Sequence, residues 1–575
     1  MAVFPACSDK MKSAWTDKVD KSCPLPEYPR PQMRRDNWLN LNGEWDYAIT
    51  SDDSKLPEEY DGKIIVPFSP ETELSEVGRS LKPDEYLWYH RRLRITESFS
   101  GKRLLLNFGA VDYEATLFVN CEFVVRHSGG YLPFCGDITE YVRDGIADIV
   151  VLVSDHSDTG ETTRGKQKTK RGGIWYTPQS GIWQTVWMEA VPESYVKKLR
   201  ITPDFDAACV DISAVTVGNE AAYAQFDGKE YLLPARIEVP DFEAWSPENP
   251  KLYDFSVSCG EDRVESYFAM RKFSVEMDEK GVPRLFLNNE PYFHNGLLDQ
   301  GYWPDGLYTA PTDKALIYDI VTAKAMGFNM LRKHIKVEPM RWYYHCDRLG
   351  MLVWQDMPNG GGNYNLLTVS SPLITGIHFK DNHYGLFARK NNLCLKQFEE
   401  ELVEMIEHLY NCPCICMWVP FNEGWGQFDA ARIYELVRSL DSTRPVDHAS
   451  GWHDQGVSDI VSLHVYFKKY RFKADKKGRA VLLSEFGGYN LGLDGHRFNN
   501  KDFGYKRFKD AEALADALRK LYQEEILPAK EQGLSAAVYT QLSDVEDELN
   551  GLVTYDRKVI KIPADKIKEI ICVGK

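Results

Sequence analysis

Nowhere does the chain hold the ~20 consecutive apolar residues that a membrane-crossing helix needs. Its first residues, MAVFPACSDKMKSAWTDK, lack the apolar core of a secretion signal. A cytoplasmic protein with no membrane partner is the expectation from both absences. Excess positive charge is missing too. Lys and Arg number 69 against 85 Asp and Glu, a formal net charge of −16, which argues against a nucleic-acid partner. No C-x-x-C pair occurs among the twelve cysteines. The one cluster, Cys412, Cys414 and Cys416, has the period of a strand whose thiols all point one way, so reduced packing residues are expected. No Gly-rich phosphate loop follows a strand, no short repeat recurs, and no His/Cys/Asp set has metal-ligand spacing. A required metal and a cofactor are therefore not expected.

The chain has ample material for cores: 43% of its residues are hydrophobic and 13% aromatic. Residues 1–35, rich in Pro and charge, read as a strap over the first domain. From 36 to 193 short apolar runs such as Leu104-Leu105-Leu106 and Ile149-Val150-Val151-Leu152-Val153 alternate with turn residues, the texture of a jelly-roll-like β-sandwich. Residues 194–273 are a shorter all-β stretch of the size of an immunoglobulin-like sandwich. From 274 to 575 helical patterns alternate with apolar runs. Pro311-Thr312-Asp313 opens a helix with Leu316, Ile317, Ile320 and Val321 on one face, ended by Gly327. Strands are expected near 292–294, 329–332, 351–354, 415–419, 445–447, 460–463, 481–483 and 536–539. Eight such units close into a (β/α)₈ TIM barrel. The fold class expected is thus multidomain: two β-sandwiches, then a barrel. Residues 359–392 form a long connection of the length typical of functional lids.

Polar residues at the C-terminal ends of barrel strands face the active site. Here they are Arg332 and His334, Trp354 and Asp356, Asn422 and Glu423, His448, His464 and Tyr466, and Glu485. Aromatic faces suit sugar C–H groups and the polar groups suit hydroxyls, so a carbohydrate substrate is implied. Asp299 and Trp303, after the first strand, are candidates for the same site or for a turn. Glu423 and Glu485 each end a buried apolar run, on the fourth and seventh predicted strands. Burying a carboxylate there costs stability unless it is used or paired. Two carboxyl groups flanking a bond can cleave a glycoside, one protonating the leaving oxygen while the other attacks. The acidic run Asp544 to Glu548 reads as solvated loop charge.

Asn422-Glu423-Gly424-Trp425-Gly426 and Ser484-Glu485-Phe486-Gly487-Gly488 resemble the acid/base and nucleophile motifs of glycoside hydrolase family 2. Leu41-Asn42-Gly43-Glu44-Trp45, Trp88-Tyr89-His90-Arg91 and Gly181-Ile182-Trp183-Gln184-Thr185-Val186-Trp187 are similar to its sugar-binding domain, and Trp245 to Tyr253 to its immunoglobulin-like domain. The resemblance implies a retaining exo-acting β-glycosidase with Glu423 as acid/base, Glu485 as nucleophile and Asn422 bonding the sugar 2-hydroxyl. A raised carboxyl pKa is expected for the acid. Arg332, His334, Trp354, Asp356, His464, Tyr466 and Asp299 are its candidate substrate-binding residues. The family also implies self-association through its sandwiches. Its β-glucuronidases carry Asn-x-Lys where this chain reads Asn550-Gly551-Leu552, and the usual Trp after the eighth strand is replaced by Tyr539-Thr540-Gln541. A neutral β-galactoside is the first expectation. Lys333 and Lys336 offer positive charge to an anionic group, and Trp354-Gln355-Asp356 is similar to the mannosidase and glucosaminidase branches. Transglycosylation and non-catalytic sugar binding are the other functions weighed.

Overall fold

The computed structural model describes residues 11–572. The first sandwich faces a six-stranded antiparallel sheet, from Gly43–Thr50 through Tyr86–Arg94 and Ile146–Ser154 to Glu122–Ser128, against a four-stranded one carrying Arg103–Phe108 and Val186–Val191. Strand Glu114–Val119 alternates buried and half-buried side chains, the period-2 signature of one face turned to a core. Trp45, Tyr89, Leu106, Phe108 and Met188 fill that core. The second sandwich pairs three strands with four between Tyr195 and Phe268. Trp245, from the Pro-rich connection, leaves it to donate its indole N–H to the Asp347 carbonyl (2.7 Å), fastening the small sandwich to the barrel. The chain from 11 to 35 does more than cover the first sandwich: Ser13 bonds Asp305 and Gln32 bonds the Asn411 carbonyl, both in the C-terminal half.

The C-terminal half is built on seven parallel strands: β1 (His294–Asp299), β2 (Met330–Lys333), β3 (Leu352–Asp356), β4 (Ile415–Val419), β5 (Ile460–Val465), β6 (Ala480–Gly487) and β7 (Leu534–Thr540). They lie in the order β4-β3-β2-β1-β7-β6-β5. The strand expected at 445–447 is reduced to one parallel bridge, Val446 to Trp418 on β4. Asp447 spans the remaining gap by accepting a hydrogen bond from Ser462 of β5 (2.9 Å). Glu485 therefore keeps the seventh place around the ring while sitting on the sixth regular strand.

Thr312 caps the helix Asp313–Ala325 as its sequence dictates, its hydroxyl accepting from the Ala315 amide. Leu316 and Ile320 face the core, but Val321 is exposed, because the buried stripe runs instead through Ala315, Asp319 and Ala323. Cys412, Cys414 and Cys416 are buried free thiols. The acidic run is not solvated. Asp544, Glu546, Asp547 and Glu548 are buried, where Lys561 pairs Asp544, Arg171 pairs Glu546 and Asp547, and the Tyr176 hydroxyl donates to Glu548. The cations that neutralise them come from distant sequence, so the run alone gives no sign of its burial. The 359–392 connection folds into short helical turns. Arg389 anchors it by donating to the carbonyls of Gly426 (3.0 Å), Glu161 (3.1 Å) and Asn359.

Candidate active site

Glu423 follows β4 in a turn fixed by its own backbone. Its amide donates to the Ser450 carbonyl (3.0 Å) and Trp425 N–H returns to the Asn422 carbonyl (3.0 Å). The turn holds Glu423 at φ +51°, in the left-handed region that a side chain adopts at a cost. Glu485 lies within β6, all of whose residues are buried, in register with His464 of β5. His464 stands between the two carboxylates. Its Nδ1 is 2.7 Å from Glu423 Oε1 and its Nε2 is 3.6 Å from Glu485 Oε1. One oxygen from each glutamate lies within 4.8 Å of the other.

Arg332, fully buried at the end of β2, organises the floor. Its guanidinium donates to both oxygens of Asp356 (3.0 Å each), to Glu485 Oε1 (3.2 Å) and to Asn422 Oδ1 (2.9 Å). With the Ser484 carbonyl (3.2 Å) this planar fork serves four residues at once, pairing Asp356 through two oxygens as a point-like ammonium cannot. Asn422 is left with its amide nitrogen unpartnered among the described residues. Asp356 also meets His334 Nδ1 (2.9 Å). The Tyr466 hydroxyl donates to Glu485 and lies 3.0 Å from Thr540, while its ring stacks on Tyr505 at 4.1 Å.

Burial acts to raise the Glu423 carboxyl, but the hydrogen bond and charge of His464, with the Trp425 indole N–H at 3.1 Å, outweigh it and leave the group below its ordinary value. The raised pKa expected of an acid is thus absent in the open site, because His464 favours the carboxylate. Burial pushes Asp356 up despite Arg332, and pushes His334 well below the usual imidazole range, so His334 is neutral.

Eight of the ten candidates converge: Arg332, His334, Asp356, Asn422, Glu423, His464, Tyr466 and Glu485. Two do not. Trp354 points into the barrel interior and donates to His294 Nδ1 (3.0 Å). Asp299 pairs with Lys333 (2.7 Å) in a separate buried cluster where Glu338 binds both Lys333 and Lys336 (2.8 Å each). Lys333 and Lys336 are consequently neutralised inside the protein, and neither is free for an anionic ligand. Trp303 is packed under Arg557, and His448 is held by Ser458 and Asp454. Asn550 and Gln541, which stand where the family's glucuronidases carry Asn-x-Lys and where its usual Trp lies, bond each other (2.8 Å).

Sequence reasoning missed the wall supplied by the first sandwich. Its 160–176 segment lies over the barrel mouth, where Arg164 and Thr162 carbonyls accept from Gly360 and Gly361. Trp175 meets Trp425 edge-on at 5.1 Å and stacks with Tyr364 at 6.1 Å.

Residues 306–484 match the model for the family 2 glycosyl hydrolase TIM barrel domain, and residues 76–192 match its sugar binding domain. The chain belongs to glycoside hydrolase family 2. A beta-galactosidase of Thermoanaerobacter pseudethanolicus is 24% identical over 71% of this chain and 55% of its own length. A beta-glucuronidase of Streptococcus agalactiae is 22% identical over 76% of each chain. The chain spans about half the length of several relatives, including the Thermoanaerobacter protein and a putative beta-glucuronidase of Formosa agariphila (50%). Among solved structures, a Ruminococcus gnavus b-glucuronidase in complex with D-glucuronic acid superposes with a TM-score of 0.73 at 18% identity, covering 95% of this chain and 99% of that one. At that identity the likeness is one of fold. Among the described residues no helix is long and apolar enough to cross a membrane.

Proposed function

We propose that this chain is a retaining, exo-acting β-glycosidase in which Glu485 is the nucleophile and Glu423 the acid/base. The observation that carries the reading is the approach of the two carboxylates, oxygen to oxygen within 4.8 Å, with His464 between them. Retaining enzymes hold their carboxyl groups about 5–5.5 Å apart, whereas inversion needs about 6.5–9.5 Å to seat a water. Glu485, held by Arg332 and Tyr466, attacks the anomeric carbon as the bond to the aglycone oxygen breaks. Glu423 gives that oxygen its proton. Glu423 takes up that proton as bound substrate excludes water and burial comes to dominate its environment, with His464 Nδ1, 2.7 Å away, orienting the carboxyl. Water then attacks the glycosyl ester, Glu423 takes the water's proton, and Glu485 leaves. The free amide nitrogen of Asn422 is placed to donate to the sugar 2-hydroxyl, and Asp356 and His334 to bind neighbouring hydroxyls.

β-Galactosides are the first glycone in this reading, in keeping with the relatives named beta-galactosidase; β-glucuronides are the second, since other relatives are named for them. Nitrophenol release from a panel of nitrophenyl β-galactoside, glucuronide, mannoside and glucosaminide tests it. Turnover of at least one, reduced by about 10²- to 10⁴-fold in Glu423→Gln, is expected. Equal inertness of wild type and variant on every glycoside would leave a sugar-binding protein.

A further inference from the structure

Five cations fall within eight residues of the first sandwich: Arg164, Lys166, Lys168, Lys170 and Arg171. In a chain of net charge −16 that density is unexpected, and the segment lies on the barrel mouth. It is held as a loop that closes back on itself. The Tyr176 amide donates to the Lys166 carbonyl (2.7 Å), the Lys168 amide to the Tyr176 carbonyl (3.1 Å), and Gly172 pairs with Trp175 at the tip. Gln167 is buried against Asp112 and Tyr131, whereas Lys166 and Lys168 on either side of it are half-buried.

The loop approaches the strand ends closely. The Gly165 amide donates to the Tyr131 hydroxyl (2.7 Å), and a Cβ there would strike the Tyr308 hydroxyl and stand 3.2 Å from the Ile335 carbonyl, one residue past His334. On its far side Trp175 reaches Trp425, whose indole bonds Glu423. Lys166, the residue after Gly165, is half-buried at this edge of the barrel mouth. Its charge contributes at Glu423 and at His334, alongside burial and, at Glu423, His464.

What distinguishes Lys166 is that no carboxylate is hydrogen-bonded or ion-paired to it among the described residues. Arg332 is committed to Asp356, Glu485 and Asn422, Lys333 and Lys336 to Asp299 and Glu338, and Arg171 to Glu546 and Asp547. Arg164 turns back to the Gly160 carbonyl. The Lys166 ammonium makes no hydrogen bond or ion pair among the described residues and lies 5.7 Å from the Tyr176 ring. Lys168 lies over the Trp175 ring at 4.1 Å, likewise without an ion pair among the described residues. A half-buried cation with no hydrogen-bonded partner at the barrel mouth is open to a charge-assisted hydrogen bond from an anionic ligand.

We propose that this sandwich loop is an anion-recognition subsite, in which Lys166, assisted by Lys168, binds an acidic substituent of the glycoside, a carboxylate or a sulfate ester. Charge selection at the barrel mouth then comes from the sandwich, the barrel's own lysines being neutralised. The inference rests on the glycosidase reading above.

Its test is the ratio of kcat/KM for nitrophenyl β-glucuronide, and for nitrophenyl β-galactoside 6-sulfate, to that for the neutral β-galactoside, in wild type, Lys166→Gln, Lys166→Arg and Lys168→Gln. Loss of one charged hydrogen bond corresponds to about 10- to 100-fold. We expect Lys166→Gln to lower the anionic-to-neutral ratio by that factor through KM, Lys166→Arg to restore most of it, and Lys168→Gln to have a smaller effect. The anionic substrate with the larger loss identifies the substituent. An unchanged ratio, or an equal loss on all three substrates with a shifted pH profile, would overturn the proposal and assign Lys166 to the Glu423 environment. If wild type cleaves nothing, calorimetric titration with free D-glucuronate separates the two failures: binding weakened by Lys166→Gln keeps the subsite and removes only the glycosidase, while no binding removes the subsite.

Discussion

Arg332 and Asp356 are locked by two parallel hydrogen bonds of 3.0 Å, Nε to Oδ1 and Nη2 to Oδ2, between fully buried side chains on adjacent strands. The same guanidinium reaches Glu485 and Asn422, so one residue sets the positions of the proposed nucleophile and of the residue before the acid.

Removing one partner of a buried ion pair leaves the other uncompensated, at a cost of about 3–5 kcal/mol. Arg332→Met is expected to lose that much from the denaturation transition of the barrel, together with its activity. Arg332→Lys keeps the charge but not the fork, and is expected to regain part of the stability and little of the kcat. Urea denaturation and kinetics on both variants check this; full activity in Arg332→Lys would contradict it.

Trp175 supports Glu423 from another domain, through its edge contact with Trp425. Small misplacements of a catalytic group are expensive. Trp175→Ala is expected to lower kcat about 10-fold, with the melting temperature nearly unchanged because the ring is only half-buried. A kcat equal to wild type would show that the sandwich wall does not position the acid.

Glu401 is buried between the Tyr113 and Thr163 hydroxyls, and burial raises its carboxyl to about 7 from the usual 4.5. The folded chain thus keeps a proton that the unfolded chain releases, so stability falls as pH rises from about 4.5 to 7. Glu401→Gln removes this contribution. The gap in stability between pH 5 and pH 8 is expected to shrink by about 2–3 kcal/mol, measured by denaturation at the two pH values. Parallel pH curves for variant and wild type would contradict it.

The barrel was legible because its signals are local: Thr312 caps a helix, Gly327 and Gly350 end helices at positive φ, and apolar runs precede Glu423 and Glu485. The convergence of Arg332, Asp356, Asn422 and His464 followed from their places at strand ends. What failed depends on tertiary partners. Trp354 shares a face of β3 with Asp356 but sits one layer deeper, which spacing alone does not reveal. Lys333 and Lys336 look like free charge until Asp299 and Glu338 fold onto them, and the 544–548 acids look solvated until Lys561 and Arg171 arrive. Lys166 and Trp175 lie more than 240 residues before Glu423, in a sandwich loop whose sequence shows only a run of charge.

The account's central claim is that Glu485 forms a covalent bond to the sugar. Incubating the protein with a 2-deoxy-2-fluoro glycosyl fluoride of the glycone it cleaves best, followed by proteolysis and peptide mass analysis, tests it directly. The account predicts one added fluoroglycosyl group, on the peptide bearing Glu485, and none in Glu485→Gln. A label on Glu423, or turnover without any label and with release of the α-anomer, would contradict it.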